Sequence, residues 1–476
     1  MSMKITIGSL IHLANRADPA VLAPFRIEAT QPSACSAPTQ ARSGGVTSIP
    51  SRLAPAQAMT LVNLHFGFAV DWGGKMTFFH EGGDGSLHPC GRDDIVIALM
   101  NRRVALDEKT STSLPTFWMN NPQRREVDRV VYEPENAYAD HGDLRIHNLW
   151  RGFSREARQG NCSRMKRHLY RVVCRSNRKH FRYLIRWMAH LVQHPGTAPG
   201  VVVVLRSRLE GTGKTTVGQW LCSMFGDNSM MLNTPAQLVG KFNAHLENKS
   251  LIVVNEPTWA GDKDAAAKLK SMVTDPTLTI ERKHGGVYSV PNVLHYLFTT
   301  NADWAVPAGA GARRFFVLDV DPAKAGDADY FNALYAEADN GGIEALLHLL
   351  QRVSLVGFSP AVMPITEALR EQQEMSLPLH AVWALDLVER ADEPATVSHL
   401  NYSLGFNKLV SAAVLYGDYK GYVADRRGFP TTQVLFGRWL GELGLTRLHT
   451  AKARLWTMPS AEEFGRLVRK HAGIHA

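Results

Sequence analysis

Long apolar runs and paired cysteines are what this 476-residue sequence lacks. No run approaches the roughly 18 consecutive apolar residues that a membrane-spanning helix needs, which excludes an integral helical membrane protein. The five cysteines, Cys35, Cys90, Cys162, Cys174 and Cys222, are scattered, odd in number and free of any CxxC pair. That pattern argues against a disulfide framework and against a zinc knuckle, and it fits a reducing cytoplasm. The opening MSMKITIGSLIHLAN has one lysine and a short, interrupted apolar patch with no small-residue cleavage site behind it, so no secretory signal is expected.

Acid is missing where base is densest. Residues 151–186 hold Arg151, Arg155, Arg158, Arg164, Lys166, Arg167, Arg171, Arg175, Arg178, Lys179, Arg182 and Arg186 against the single acid Glu156. The whole chain carries a net +9, so the remainder is slightly acidic and the basic excess lies in this one stretch. Such a concentration points to a polyanionic partner at one place. The stretch reads as two amphipathic helices. In the first, Met165, Leu169, Val172 and Val173 share a face while Arg164, Arg167, Arg171 and Arg175 stripe another. In the second, Phe181, Leu184, Ile185, Met188 and Leu191 face a core. A charge run is ordinarily a solvated helix face. Here the near absence of acids favours nucleic acid nearby, because like charges at i,i+4 repel unless something neutralises them.

Residues 30–58 are rich in Ala, Pro, Ser and Thr without apolar periodicity, and read as disordered. Organised sequence is expected from Met59, a candidate start residue, with Val62, Leu64, Phe66, Phe68 and Val70 alternating as a half-buried strand. At the other end, Phe406–Tyr422 predicts a helix and residues 426–430 a turn. Thr431 or Thr432 would cap a helix running through Leu443, and Leu445–Met458 would form a wing-like hairpin. A winged-helix-like domain is the natural reading, with Arg438, Arg447, Lys452 and Arg454 as phosphate contacts, although winged helices also serve as protein interfaces.

Between these ends lies a nucleotide-site pattern. Val201–Leu205 is a continuous apolar run, as a fully buried parallel strand requires. It leads through Arg208 to Gly211, Thr212, Gly213, Lys214, Thr215 and Thr216, and then into the helical pattern Val217, Trp220, Leu221, Met224, Phe225. Strand, Gly-rich loop and helix are the context of a P-loop. Backbone amides close around phosphates, Lys214 reaches the β- and γ-phosphates, and the Thr215 hydroxyl ligates magnesium. Arg208 stands where the consensus has its first glycine, and a side chain there is expected to distort a tight turn. A second buried strand, Leu251–Val254, ends in Asn255 and Glu256. Asn255 occupies a position where a metal-associated acid often sits, so Glu256 is the better general base. A third strand, Val293–Phe298, delivers Asn301, which can orient water against the γ-phosphate. Arg313 and Arg314 precede a further strand, and one of them can act as an arginine finger. Between the second and third strands a β-hairpin carries Lys283 and His284 at its tip, suited to sequence-independent phosphate contact.

In this order and spacing, these motifs resemble superfamily 3 helicases, and more closely the phage and plasmid primase–helicase proteins with the poxvirus-type ATPase domain. The likeness covers roughly residues 111–345. The resemblance implies an α/β multidomain chain with a P-loop, AAA+-like parallel-sheet ATPase core, preceded by a basic helical region. It implies a ring, usually hexameric, with ATP and Mg2+ held between subunits. Lys214 and Thr215 would bind them, Asn255 and Glu256 would serve the metal, Glu256 would activate water, and Asn301 would sense the γ-phosphate. Arg313 or Arg314 would be supplied in trans, and Lys283 with His284 would grip DNA in the channel.

The expected architecture is a disordered extension (1–58), a small α/β segment (59–110), a lead-in with basic helical collar (111–195), the ATPase domain (196–345) and the winged-helix-like domain (361–476). The expected activity is ATP-driven translocation on single-stranded or forked DNA during replication of a phage, prophage or plasmid, in the cytoplasm of a bacterial host. No primase module is evident ahead of residue 111, so separate primase or replication proteins are expected partners. A packaging or partition-type motor, a small-molecule P-loop kinase and an ATPase-impaired DNA-binding remnant are the alternatives.

Overall fold

Val202–Arg206 is buried at every position, and the rest of its sheet explains why. In the computed structural model, which describes residues 52–83, 85–135, 142–257, 263–283, 286–308, 312–390, 405–450 and 453–473, the chain divides into two units, Met1–Arg151 and Gly152–Ala476.

The first unit contains strands β1 (Arg52–Leu53), β2 (Phe66–Asp71), β3 (Thr77–Glu81), β4 (Leu87–Cys90), β5 (Arg103–Ala105), β6 (Ser111–Ser113), β7 (Glu126–Val131) and β8 (Ile146–Asn148). They form a five-stranded sheet, β4-β3-β2-β7-β8, and a three-stranded sheet, β1-β5-β6. Helices α1 (Pro55–His65), α2 (Arg92–Leu99) and α3 (Leu114–Met119) accompany them, and Phe66, Ile95, Leu114 and Trp118 pack into one core with Leu53 and Val62. Two expectations fail here. Residues 52–58, expected to be disordered, are structured: Leu53 and Ala58 are buried, and Pro55 opens α1. The alternation from Val62 starts as helix, because Val62 and Leu64 fall within α1, whose buried positions Ala58, Met59 and Val62 follow the helical period. Residues 1–51 of the expected disordered extension lie outside the described residues. The expected boundary at 110 also disappears, since β7 pairs in parallel with β2.

The second unit opens with the basic segment. Helix α4 (Ser163–Arg167) runs on as a π-helical turn, His168–Val173, and α5 spans Arg178–Gln193. The side chain of Asn177 caps α5, accepting from the amides of Lys179 and His180. A five-stranded parallel sheet follows, built from β9 (Val202–Arg206), β10 (Ser229–Leu232), β11 (Leu251–Asn255), β14 (His295–Thr300) and β15 (Phe315–Asp319), in the order β10-β11-β14-β9-β15. Side chains alternate across it. Val202, Val204, Ile252, Val254, Tyr296, Phe298, Phe315 and Val317 join a core on one face. On the other, helix α6 (Lys214–Phe225) approaches so closely that a Cβ on Gly218 would lie 2.7 Å from Val253. Both faces are covered, which is why these strands read as unbroken apolar runs. Truncating a fully buried side chain such as Phe298 should cost about 3–5 kcal/mol.

Helices α7 (Pro235–Val239) and α8 (Lys263–Thr274) precede an antiparallel hairpin of β12 (Thr277–Glu281) and β13 (Val287–Pro291), and α9 (Ala328–Glu337), α10 (Ile343–Arg352) and α11 (Glu367–Met375) come after β15. The C-terminal part has its own core: α12 (Leu379–Glu389), β16 (Lys408–Ser411), α13 (Ala412–Asp425), α14 (Gln433–Glu442), β17 (Arg447–His449), β18 (Arg454–Met458) and α15 (Ala461–His471), with sheet order β16-β18-β17. The helix expected from Phe406 instead starts at Ala412. Residues 408–411 pair with β18, and Ser411 accepts the Ala413 amide at the turn into the helix. Thr432 caps α14 as expected. Among the described residues no helix is long and apolar enough to cross a membrane.

Candidate functional site

The chain leaves β9 at Arg206 and enters α6 at Lys214, and residues 207–213 fold into a loop at the carboxyl end of the sheet. In open parallel sheets, ligands bind in the crevice outside those ends, where neighbouring connections diverge. Here the loop root is clamped: the buried Arg206 guanidinium donates to both Asp319 oxygens (2.6 and 2.9 Å), to the Asp303 carbonyl (3.0 Å) and to Glu371. Gly211 and Gly213 adopt left-handed backbone angles, φ +67° and +86°. A Cβ on Gly213 would come within 2.5 Å of the His168 ring and 2.9 Å of Phe331, so glycine is required there on two counts. The expected disturbance at Arg208 does not occur. Its backbone avoids the left-handed region, and its side chain, 78% exposed, turns outward to pair with Asp303 at 2.6 Å.

A cavity of about 590 Å³ opens on this loop, lined by residues 210–216, Gln219, Glu256, Asn301, Gly326, Ala328, Phe331 and Tyr335. Lys214 is 6% exposed. Its Nζ donates to Asn301 Oδ1 at 2.7 Å, to the Leu209 carbonyl at 3.1 Å, and to the Ser207 carbonyl and Thr212 Oγ1 at 3.3 Å. Burial draws the Lys214 pKa below the usual lysine value, while the nearby carboxylates of Glu256 and Glu210 oppose that shift. Glu256 itself sits at φ +51°, a conformation costing a non-glycine residue on the order of 1–3 kcal/mol and found where structure is held for function. Its Oε2 accepts from the Asn301 amide (3.1 Å) and from Thr300 Oγ1 (3.2 Å).

Lys214, Glu256 and Asn301, which lie on three separate segments, therefore meet at one point, with Thr215 exposed beside them at the start of α6. Thr216 is buried with its hydroxyl 3.4 Å from that of Tyr335. Asn255 does not join them. Its Oδ1 accepts from Thr299 Oγ1 at 2.8 Å along the sheet end, and it is absent from the cavity lining. Arg313 and Arg314 are also elsewhere. They precede β15, whose first residue pairs with Val202, so they sit at the opposite end of the sheet from the loop. Arg313 is exposed, while the Arg314 Nε is buried without a hydrogen-bond partner among the described residues. Lys283 is exposed at the tip of the β12–β13 hairpin, whose tip end is held by Glu247 accepting from Arg282 (2.8 Å) and Tyr288 (2.7 Å). His284 lies outside the described residues.

Three features of the cavity escape a reading by motif. His168 is wholly buried against Gly213. Its Nδ1 pairs with the Tyr330 hydroxyl at 3.0 Å, and its Nε2 has no hydrogen-bond partner among the described residues. Burial pushes its pKa down to about 4. Phe331 and Tyr335 form the cavity wall from α9. Their i,i+4 spacing is that of an ordinary core stripe, so nothing in the sequence marked them. The basic segment touches this wall: the Glu337 carboxylate at the end of α9 accepts the amides of Arg164 (2.9 Å) and Met165 (3.1 Å). Arg164, Arg167, Arg171, Arg175, Arg178, Lys179 and Arg182 are exposed and form no ion pair among the described residues, whereas Arg155 pairs with Glu344 and Arg158 with Glu156.

A family described as a family of unknown function (DUF5906) matches residues 205–314, the segment from β9 to Arg314. Over 138 residues the chain is 28% identical to a DNA primase-polymerase from Nitratiruptor phage NrS-1, a match covering 28% of this chain and 19% of that protein. Two solved structures share the fold. The apo C-terminal region of NrS-1 aligns over 85% of this chain and 99% of its own length, with a TM-score of 0.60 and 15% identity. Its A form aligns over 86% and 100%, with a TM-score of 0.61 at the same identity.

Proposed function

We propose that this chain is a nucleoside-triphosphate-hydrolysing DNA motor of the superfamily 3 helicase type, acting in mobile-element replication within a bacterial cytoplasm. The observation that carries this reading is the meeting of Lys214, Glu256 and Asn301 beneath the Gly-rich loop, with Asn301 hydrogen-bonded to both of the others. The strand order β10-β11-β14-β9-β15, with the loop following the strand between β14 and β15, supports a P-loop, AAA+-like core. The succession α12, β16, α13, α14, β17, β18 supports a C-terminal winged helix.

In this reading the loop amides and the α6 N-terminus receive the phosphates, and Lys214 exchanges its loop carbonyls for phosphate oxygens. Glu256, fixed by Asn301 and Thr300, takes the proton from the attacking water, while Asn301 orients that water. ATP is the expected substrate with Mg2+. The oxygen donors at hand fit that ion: the Thr215 hydroxyl and the Glu256 carboxylate are exposed at the cavity. A hard cation bound by one or two protein oxygens with substrate phosphates needs no all-protein cage. Asn255 is not retained as a ligand. Arg313 or Arg314 acts on a neighbouring copy, since each is at the far end of its own sheet, and a homo-oligomeric ring, hexameric by resemblance, follows. Lys283, with His284, contacts single-stranded or forked DNA, and the exposed arginines of the collar steer it. A separate primase or other replication proteins complete the partnership.

The test is hydrolysis of ATP with and without single-stranded DNA, in the wild type and in Lys214→Ala. DNA-stimulated hydrolysis is expected, reduced about 100- to 1,000-fold by the substitution. The name of the NrS-1 relative favours a second reading, participation in primer synthesis. Template-dependent incorporation of nucleotides, with hydrolysis unaffected by Lys214→Ala, would replace the motor with that activity.

A further inference from the structure

We infer that the aromatic wall of the cavity, Phe331 and Tyr335, is a nucleobase subsite that works by stacking and so accepts purine and pyrimidine nucleoside triphosphates alike. This inference rests on the triphosphate reading above and extends it to the part of the ligand beyond the phosphates. The geometry divides the cavity in two. Its phosphate end is the loop 211–215 with Lys214. Its other end begins where the Thr216 hydroxyl meets the Tyr335 hydroxyl at 3.4 Å and continues along α9. The approach of α9 is close: the Gly326 amide lies 3.6 Å from where a Cβ on Gly211 would be. Phe331 and Tyr335, one helical turn apart, present rings with centroids 6.1 Å apart and planes 31° from parallel. Phe331 is seated against Gly213 and His168, which holds it in place, whereas Tyr335 is 43% exposed.

A large ring left 43% exposed on a cavity wall is only partly covered by its neighbour Phe331, and a planar heterocycle is the ligand class that covers the rest. Discrimination between bases needs donors and acceptors aimed at a base edge. At this end of the cavity the side chains lining it offer the Gln219 amide and the hydroxyls of Thr216 and Tyr335, and the two hydroxyls are already engaged with each other. Stacking dominates and edge reading is thin. Every base has a π-face, so such a platform tolerates all four.

The experiment is calorimetric titration of the full chain with ATP, GTP, CTP, UTP and inorganic tripolyphosphate, each with Mg2+. The wild type should bind ATP at least about tenfold more tightly than tripolyphosphate, with the four nucleotides within about tenfold of one another. Tyr335→Ala should weaken all four by about 5- to 100-fold and leave tripolyphosphate unchanged, and Tyr335→Phe should restore binding. Equal weakening of nucleotide and tripolyphosphate in Tyr335→Ala would overturn the subsite, as would a wild type that binds ATP no better than tripolyphosphate. A preference above about 100-fold for one base would overturn its tolerance. Failure of the wild type to bind any of the five ligands would sink the triphosphate reading, and this inference with it.

Discussion

The cavity at the Gly-rich loop and the basic stretch from Arg155 to Arg186 both concentrate charge, and they do so in opposite ways. At the cavity few charges are present, but Lys214 is 6% exposed and four acceptors converge on its ammonium. In the basic stretch many charges are present, seven of them exposed and without an ion-pair partner among the described residues. A buried, converging charge is preorganised and acts on a bond, because the low dielectric strengthens it and its neighbours fix its position. An exposed array is screened within about 8–10 Å of its charges and acts by attraction over its surface. Among the described residues, number of charges and the firmness with which each is held are therefore inversely matched.

The sharpest way to test that contrast is at Glu256. Glu256→Gln keeps shape and hydrogen-bonding reach but removes the carboxylate proposed as the base. We expect hydrolysis to fall about 100- to 10,000-fold with nucleotide affinity retained, measured by steady-state turnover alongside titration. A loss of less than tenfold would remove Glu256 from the chemistry. The next test concerns burial itself. His168 and His295 are held neutral, with pKa values pushed down by burial to about 4 and about 3. The unfolded chain takes up a proton near pH 6.5, where the folded chain does not. Their stabilising contribution is therefore complete above pH 6.5 and lost as pH falls toward 4 and then 3. For His168 alone the loss amounts to roughly 3 kcal/mol. Denaturant melts from pH 7 to 4 should show it, and His168→Asn should flatten the dependence. The smallest expected effect is in the collar. Replacing Arg164, Arg167 and Arg171 together by Gln should weaken single-stranded DNA binding and lower the salt slope of log K by about 2, with basal hydrolysis largely kept. An unchanged slope would mean that these arginines do not meet phosphate.

Much of the cavity was legible because it is built from local signals. The apolar run Val201–Leu205, the glycines at 211 and 213, and Lys214 form one contiguous strand–loop–helix, where strand burial, left-handed backbone and helix start leave direct traces. Glu256 and Asn301 were legible as the ends of two further apolar runs. Asn255 stands outside the cavity lining and bonds to Thr299 instead, a placement that motif position alone does not reveal. Arg208 was overrated as a disturbance for a related reason: a consensus letter does not say whether a backbone angle is positive. The strand assigned to Val62–Val70 and the helix assigned from Phe406 erred at their boundaries, where helical and strand periods coincide for a few residues. Phe331, Tyr335 and His168 left no trace, since a buried histidine and an aromatic pair at i,i+4 look like any core stripe.

The sequence by itself determined the parallel sheet, the loop that follows β9, the order of the segments around it and the concentration of base in one stretch. Each of these follows from nearest-neighbour chemistry: β-branched burial, glycine backbone freedom and local charge. Only the tertiary structure decided which ends of distant strands meet Lys214, that Arg313 and Arg314 stand at the far end of their sheet, and that α9 closes the cavity with an aromatic wall. Those outcomes depend on strand order and on how helices pack across the sheet. Long-range packing sets both, and no local pattern encodes it.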